Sequence, residues 1–355
     1  CTLYICVIRF ACFGASKKIV KSWALVLFPP SLMQSLCNSL LHPEAARAQA
    51  SGSGLREAMS VKSSVRRALG KGASTVLFGR RATHSFEVGS ANRPHPRKVS
   101  GEDAHFFSQG HVAGTVALGV ADGVGGAADS AWYSANLMAH AEALSESGLD
   151  EPKEILTQAW KLARSQHALD GRSTMCVLVL DARRQSPILR AANLGDSTFW
   201  VLRPRPDSGR LGIALKMRQQ QHAADEGYSN CPYQLGWLEN EEINTPADAD
   251  TGIMQLCAGD TVVLATDGLW DAMHTLEILE AVAGGLKRGY GAQKLARNLV
   301  DMAAELSQDP LRSSPAVEAM ARQGLVARPR EAQDDVTVVV AKVLESGSGS
   351  WSGAP

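Results

Sequence analysis

The chain has 355 residues, 45% of them apolar, with 36 basic side chains against 36 acidic ones, which excludes a disordered or fibrous protein and leaves room for one large core. The charge is unevenly placed: residues 1–86 hold 12 Lys/Arg against only Glu44 and Glu57, so the remainder carries 24 basic and 34 acidic residues. An acidic body with 6% aromatic residues argues against a nucleic-acid-binding surface.

Of the seven cysteines, Cys176, Cys231 and Cys257 lie in the acidic body, without CxxC spacing or histidine companions. They suggest neither a disulfide framework nor a zinc site, and so a reducing compartment.

Residues 1–58 read as a poorly defined N-terminal segment, upstream or non-native in origin. Its apolar pieces, "CTLYICVIRFACFG" and "WALVLFPP", are interrupted by Arg9, Lys17, Lys18 and Lys21 and closed by Pro29 and Pro30. Neither reaches the ~18–20 apolar residues that span a bilayer, so no stable membrane insertion is expected; a signal anchor is the alternative. Residues 59–86 contain Lys62, Arg66, Arg67, Lys71, Arg80 and Arg81 and no acid. Val61, Val65, Ala68 and Leu69 share one face of a short helix flanked by cations, the profile of a transit peptide. Mitochondrial matrix is the first reading of this address, chloroplast the second, and a basic tail of a cytosolic protein the bland alternative.

Residues 87–345 read as one α+β domain. Strands are expected at Ala104–Ser108 and Thr115–Ala121, then helices at Ser134–Ser145 and Pro152–Ala168, the latter with Ile155, Leu156, Ala159 and Leu162 at helical spacing. A β series follows at Thr174–Asp181, Pro187–Gly195, Ser197–Arg203 and Leu211–Met217, in the manner of antiparallel hairpins. Thr261–Asp267 is another buried strand, followed by helices at Thr275–Leu286 and Gly291–Leu306 and a closing strand at Asp335–Val343. Residues 346–355, rich in Gly and Ser, read as a disordered tail.

One device recurs along this domain: acids stand at the ends of strands suited to burial. Asp122 closes "TVALGVAD", Asp267 closes "TVVLATD", Glu102 and Asp103 precede "AHFF", and Asp334 and Asp335 precede "VTVVV". Acids converging at one end of packed sheets repel one another unless cations fill the cluster. Oxygen ligands without His or Cys favour magnesium, manganese or calcium. Gly123 and Gly268 follow two of the acids, where a glycine allows close backbone approach.

The ordered set "GEDAHF", "GVADGVGG", "STMCVLVLD", "AANLGDS", "ATDGLWD" and "DDVTVVV" resembles the metal-dependent serine/threonine protein phosphatases of type 2C, the PPM family. The resemblance runs from about Phe86 to Val343. "NCPYQLG" and "LSQDPLRSSPAVEAMARQGL" resemble its organellar and mitochondrial-matrix branch, also found in plants and algae. It implies a four-layer αββα sandwich of two antiparallel sheets flanked by helices. It also implies a monomer acting on a phosphoprotein with two Mn2+ or Mg2+ ions, by in-line attack of a water activated between them. By this likeness Asp122 bridges both ions, the Gly123 carbonyl contacts one, Asp267 and Asp334 hold the other, and Glu102 and Asp103 contact water on the ions. Asp335 supports these ligands from behind, and Asp196 reads as structural.

Three departures stand out. Lys98, beside Arg97, occupies the place of an arginine that grips substrate phosphate in many relatives, and it lacks the bidentate fork. Val124 stands where many relatives have a histidine that serves as a general acid; His105 is a weak substitute. The acid of a third metal site aligns with Leu169, so no third ion is assigned. The competing function class is a pseudophosphatase or phosphoprotein-binding module with the same fold.

Overall fold

The computed structural model describes residues 84–345 apart from 99, 112, 126–128, 167–170, 184, 223–230, 239–240, 243 and 325–332, together with the strands 4–12, 20–28 and 75–78. The chain forms two compact units, Cys1–Val65 and Arg66–Pro355. In the first, β1 (Tyr4–Cys12) pairs antiparallel with β2 (Val20–Phe28), from Tyr4↔Phe28 to Cys12↔Val20. No helix among the described residues is long and apolar enough to cross a membrane.

The second unit holds the strands β3 (Thr75–Phe78), β4 (His84–Arg93), β5 (Ala104–Gln109), β6 (Thr115–Ala121), β7 (Arg172–Ser173), β8 (Met175–Asp181), β9 (Ile188–Leu194), β10 (Thr198–Pro204) and β11 (Leu211–Lys216). They are followed by β12 (Leu235–Leu238), β13 (Glu241–Glu242), β14 (Asp250–Gln255), β15 (Thr261–Ala265) and β16 (Val336–Glu345). Its helices are α1 (Ser130–Glu146), α2 (Pro152–Gln166), α3 (Asp267–Trp270), α4 (Thr275–Lys287), α5 (Ala292–Leu306) and α6 (Pro315–Arg322).

Two antiparallel sheets carry the domain. One has the order β11-β10-β15-β16-β4-β3, the other β14-β9-β8-β6-β5. Their inner strands β6, β8 and β15 bury both faces, which is why they read as continuous apolar runs rather than as alternating ones. Period two sorts the side chains. Phe199, Val201, Val262, Leu264, Val339 and Ala341 of the first sheet meet Val116, Leu118, Cys176 and Leu178 of the second in the core between the sheets. Trp200, Val263, Ala265, Val338 and Val340 face outwards onto Ile278, Leu295 and Leu299 of α4 and α5. Ala117, Val177, Val179 and Ala192 face Leu137, Ile155 and Ala159 of α1 and α2. The result is an αββα sandwich, as expected from the sequence.

Several boundaries differ from the expectations. The domain reaches back beyond residue 87, because Ser85 and Phe86 of β4 are buried and β4 pairs with β3. Most of the transit-peptide reading, and the tail 346–355, lie outside the described residues. The helix expected from Ser134 begins at Ser130, whose hydroxyl donates to the Val124 carbonyl (2.7 Å). Strand β14 escaped notice because it is an edge strand that alternates between half-buried and exposed, with Ile253 72% exposed, and so presents no apolar run. The strand expected to reach Asp267 stops at Ala265, and Asp267 opens α3.

Helix α5 crosses β4 at Gly89, where an added Cβ would collide with the backbone of Ala292 and Gln293. Gly89→Ala is therefore expected to lower the unfolding free energy by about 1–3 kcal/mol, measured by chemical denaturation. An unchanged midpoint would show that α5 can move away freely.

Candidate metal centre

Antiparallel pairing brings the acids together. Where β6 ends its neighbour β5 begins, with Ala121 opposite Ala104, so Asp122 stands beside Glu102 and Asp103. In the other sheet Ala265 lies opposite both Val338 and Thr198, so Asp267 meets the residues leading into β16 and β10, namely Asp334, Asp335 and Asp196. Both sheets deliver these residues to one end of the sandwich.

Backbone bonds hold that end. The Asp122 amide donates to Thr174 Oγ1 (3.0 Å) and its carbonyl accepts from the Thr174 amide (2.9 Å) and Ser173 Oγ (2.8 Å). The Gly123 amide donates to the Glu102 carbonyl (3.2 Å). A Cβ on Gly123 would lie 2.8 Å from the carbonyl oxygens of Glu102 and Ser130, and one on Gly268 would collide with the Asp335 carbonyl. Both glycines therefore serve close approach.

The tightest group is Asp122, Asp196 and Asp267, each with a carboxylate oxygen within 4.8 Å of the others. This corrects the structural reading of Asp196: it is 3% exposed, follows Gly195 at φ +110°, and has its Oδ2 held by Gln221 (3.1 Å). Asp334 stands outside that trio, with its Oδ1 accepting from the Asp335 amide (2.7 Å). Asp103 is held by Thr266 Oγ1 (2.8 Å). Asp271, missed in the sequence, joins the cluster from the far end of α3; the i,i+4 spacing in "DGLWD" was the signal that could have found it.

Asp335 is buried and accepts from the amides of His95 (2.6 Å) and Glu102 (2.7 Å) and from Lys98 Nζ (3.0 Å). The Lys98 ammonium also contacts Glu102 (2.5 Å) and lies 4.0 Å from Asp334. Burial works against its charge, but Glu102 and Asp335 outweigh burial and hold its pKa above the usual lysine value. Arg97 is exposed beside it. His105 points elsewhere, its Nε2 2.9 Å from Ser90 Oγ.

The electrostatics are those of a buried acid cluster. Burial pushes Asp122 well above the carboxylate range, helped by Asp103, Asp334 and Asp196; burial does the same to Asp267, helped by Asp122 and Asp196. Asp103 is raised by burial against the bonds from Thr266 and Thr337. Burial lifts Asp196 to about 6 and Asp271 to about 7. Oδ1 of Asp103, Asp196 and Asp267 is buried without a hydrogen-bond partner among the described residues. Oxygen atoms so placed fit hard divalent cations, which would complete their coordination.

Comparison with known proteins gives the same direction. The family described as "Stage II sporulation protein E (SpoIIE)" matches residues 113–344. The chain is 35% identical over 259 residues to the protein phosphatase PTC7 homolog of Homo sapiens, covering 69% of this chain and 80% of that protein. The photosystem II phosphatase PBCP superposes with a TM-score of 0.59 at 26% identity, over 72% of this chain and 98% of the other. The catalytic domain of the serine threonine protein phosphatase PstP, solved in complex with two manganese ions, shares the fold at a TM-score of 0.50 and 20% identity, over 74% of this chain and all of the other.

Carboxyls raised on folding favour the folded state below their unfolded pKa near 4, and that contribution disappears as pH rises through about 6 for Asp196 and about 7 for Asp271. The lowered carboxyls Asp181 and Glu277 act below that window. In EDTA, stability is therefore expected to fall by on the order of 4 kcal/mol between pH 5 and pH 7.5, with Mn2+ abolishing the fall. A rise in EDTA over that range would contradict the burial of these acids together.

Proposed function

The chain belongs to the type 2C protein phosphatases, the PPM family, and is a protein phosphatase; from that premise we propose that it hydrolyses phosphoserine and phosphothreonine with two Mn2+ or Mg2+ ions held by Asp122, the Gly123 carbonyl, Asp267 and Asp334. The observation that carries this reading is the convergence of Asp122, Asp196 and Asp267 within 4.8 Å, with buried carboxylate oxygens lacking partners. Divalent ions held there would supply an acidified water as nucleophile and would offset charge on the phosphoryl oxygens.

The protein's own groups have separate tasks. Asp122 would hold both ions, and Asp196 would offer an oxygen beside Asp122 and Asp267. Glu102 and Asp103 accept hydrogen bonds from the attacking water and so orient it. Asp335 is a positioning residue: it fixes Lys98 and the Glu102 backbone. An ammonium has three donors; two of those on Lys98 are engaged by Glu102 and Asp335, leaving one for the substrate phosphate. Arg97 adds positive charge at the rim. Val124 carries no proton and His105 is turned toward Ser90, so the leaving alkoxide takes its proton from solvent.

The basic, acid-free stretch of residues 59–86 supports import into the mitochondrial matrix, with the chloroplast as the alternative. A reporter fused to this stretch is expected to enter an organelle, and a diffuse cytosolic signal would overturn the address.

Turnover of a phosphopeptide and of a small phosphomonoester is expected with Mn2+ or Mg2+ and to vanish in EDTA. Asp122→Ala and Asp267→Ala are each expected to lower kcat/KM by about 10³ or more, a loss of several kcal/mol of transition-state stabilisation. Full activity in Asp122→Ala, or turnover in EDTA, would sink the mechanism; metal-dependent peptide binding without turnover would favour a binding module.

A further inference from the structure

Strand β4 has one edge covered by β16 and another that is only partly covered. Along the second edge Phe86 and Val88 lie opposite Leu77 and Thr75 of β3. At Ser90 the partner is a side chain: the Ser90 amide donates to Gln293 Oε1 (3.2 Å) and its carbonyl accepts from Gln293 Nε2 (2.7 Å). Gln293 thus takes the place of a strand's peptide group for one residue. Peptide groups two residues apart point the same way, so the next pair directed away from β16 is the N–H and C=O of Asn92, beyond Val88, the last residue of β4 that β3 pairs.

This edge opens into a cavity of about 220 Å³ between β4, β5 and α5. Arg93 and Arg297 stand over it, with Val300 and His105 in its walls. Asp301 also borders the cavity and lies 3.8 Å from Arg93, but both side chains are at least half exposed, so that pair is weak. Two arginines against one aspartate leave the groove net positive, beside a cluster that is strongly acidic. The chain leads from the groove to that cluster. Strand β4 leads on to His95, whose amide holds Asp335 (2.6 Å), and Asn92 to His95 is three residues, about 10 Å of extended chain. From the other sheet, His105 lies two residues beyond Asp103.

We propose that this groove receives the segment flanking the phosphorylated residue of the protein substrate, added as a strand along the Asn92 edge with an acidic side chain between Arg93 and Arg297. Strand addition takes its affinity from main-chain hydrogen bonds and its selectivity from side-chain pockets, and the two guanidinium groups set a preference for acidic flanks. The inference rests on the phosphatase reading, since the bound segment is led toward the acid cluster by the course of β4.

The test uses the full chain with Mn2+, an acidic-flanked phosphopeptide, a neutral-flanked one and a small phosphomonoester. Asn92→Pro removes only the outward N–H, a change that an edge strand tolerates; Arg93→Glu with Arg297→Glu reverses the charge. The double variant is expected to lose about tenfold in kcat/KM on the acidic peptide and less than about twofold on the ester. Asn92→Pro is expected to lose several-fold on both peptides and to leave the ester unchanged. Equal losses on peptides and ester, or no loss on the acidic peptide, would overturn the groove. If the wild type turned over no substrate at all, the phosphatase reading would fail instead. Fluorescence anisotropy of the labelled acidic phosphopeptide still decides the groove in that case: a Kd raised about tenfold in the double variant supports it, and an unchanged Kd overturns it.

Discussion

Mutual repulsion among carboxylates is the constraint on which the rest of this structure depends. Glu102, Asp103, Asp122, Asp196, Asp267, Asp271, Asp334 and Asp335 gather at one end of the sandwich, with Lys98 as their paired cation. Desolvated like charges this close raise one another's pKa and weaken the fold that holds them. Such an arrangement is stabilised at neutral pH by further positive charge, and the buried Oδ1 atoms of Asp103, Asp196 and Asp267, which have no hydrogen-bond partner among the described residues, are placed to receive it.

The scaffold tolerates this strain because it is thoroughly buried elsewhere. Both sheets are apolar on both faces, with a core between them and helices outside, so polar ligands can emerge only where strands end. Antiparallel pairing makes strand ends and strand starts coincide, which turns five separate stretches of sequence into one site. Gly123 and Gly268 then let carbonyl oxygens approach where any Cβ would intrude. Proteins commonly give up local stability at functional sites in this way.

The legible part of the sequence was the part written in long apolar runs. Thr115–Ala121, Thr261–Asp267 and Asp335–Val343 announced themselves as buried strands, and the acids at their ends drew attention because an isolated carboxylate at such a place needs a reason. Asp196 read as structural because a short turn between hairpin strands explains an aspartate without further help; its burial and the Thr198 to Ala265 pairing reveal its company. Asp271 was hidden by a four-residue helix too short to show a period. The groove along β4 was invisible to sequence reading, because a glutamine that imitates a strand depends on where α5 crosses Gly89.

Acid cluster and groove divide the work of recognition by charge. The acidic end needs cations before it can accept a phosphate, while the arginines beside it draw the flanking chain to one side of the mouth. The most direct measurement of the central claim is a calorimetric titration of the metal-free chain with Mn2+ at neutral pH. The cluster predicts at least two ions bound per chain and the loss of that binding in Asp122→Asn; an absence of binding, or binding unchanged in Asp122→Asn, would contradict it.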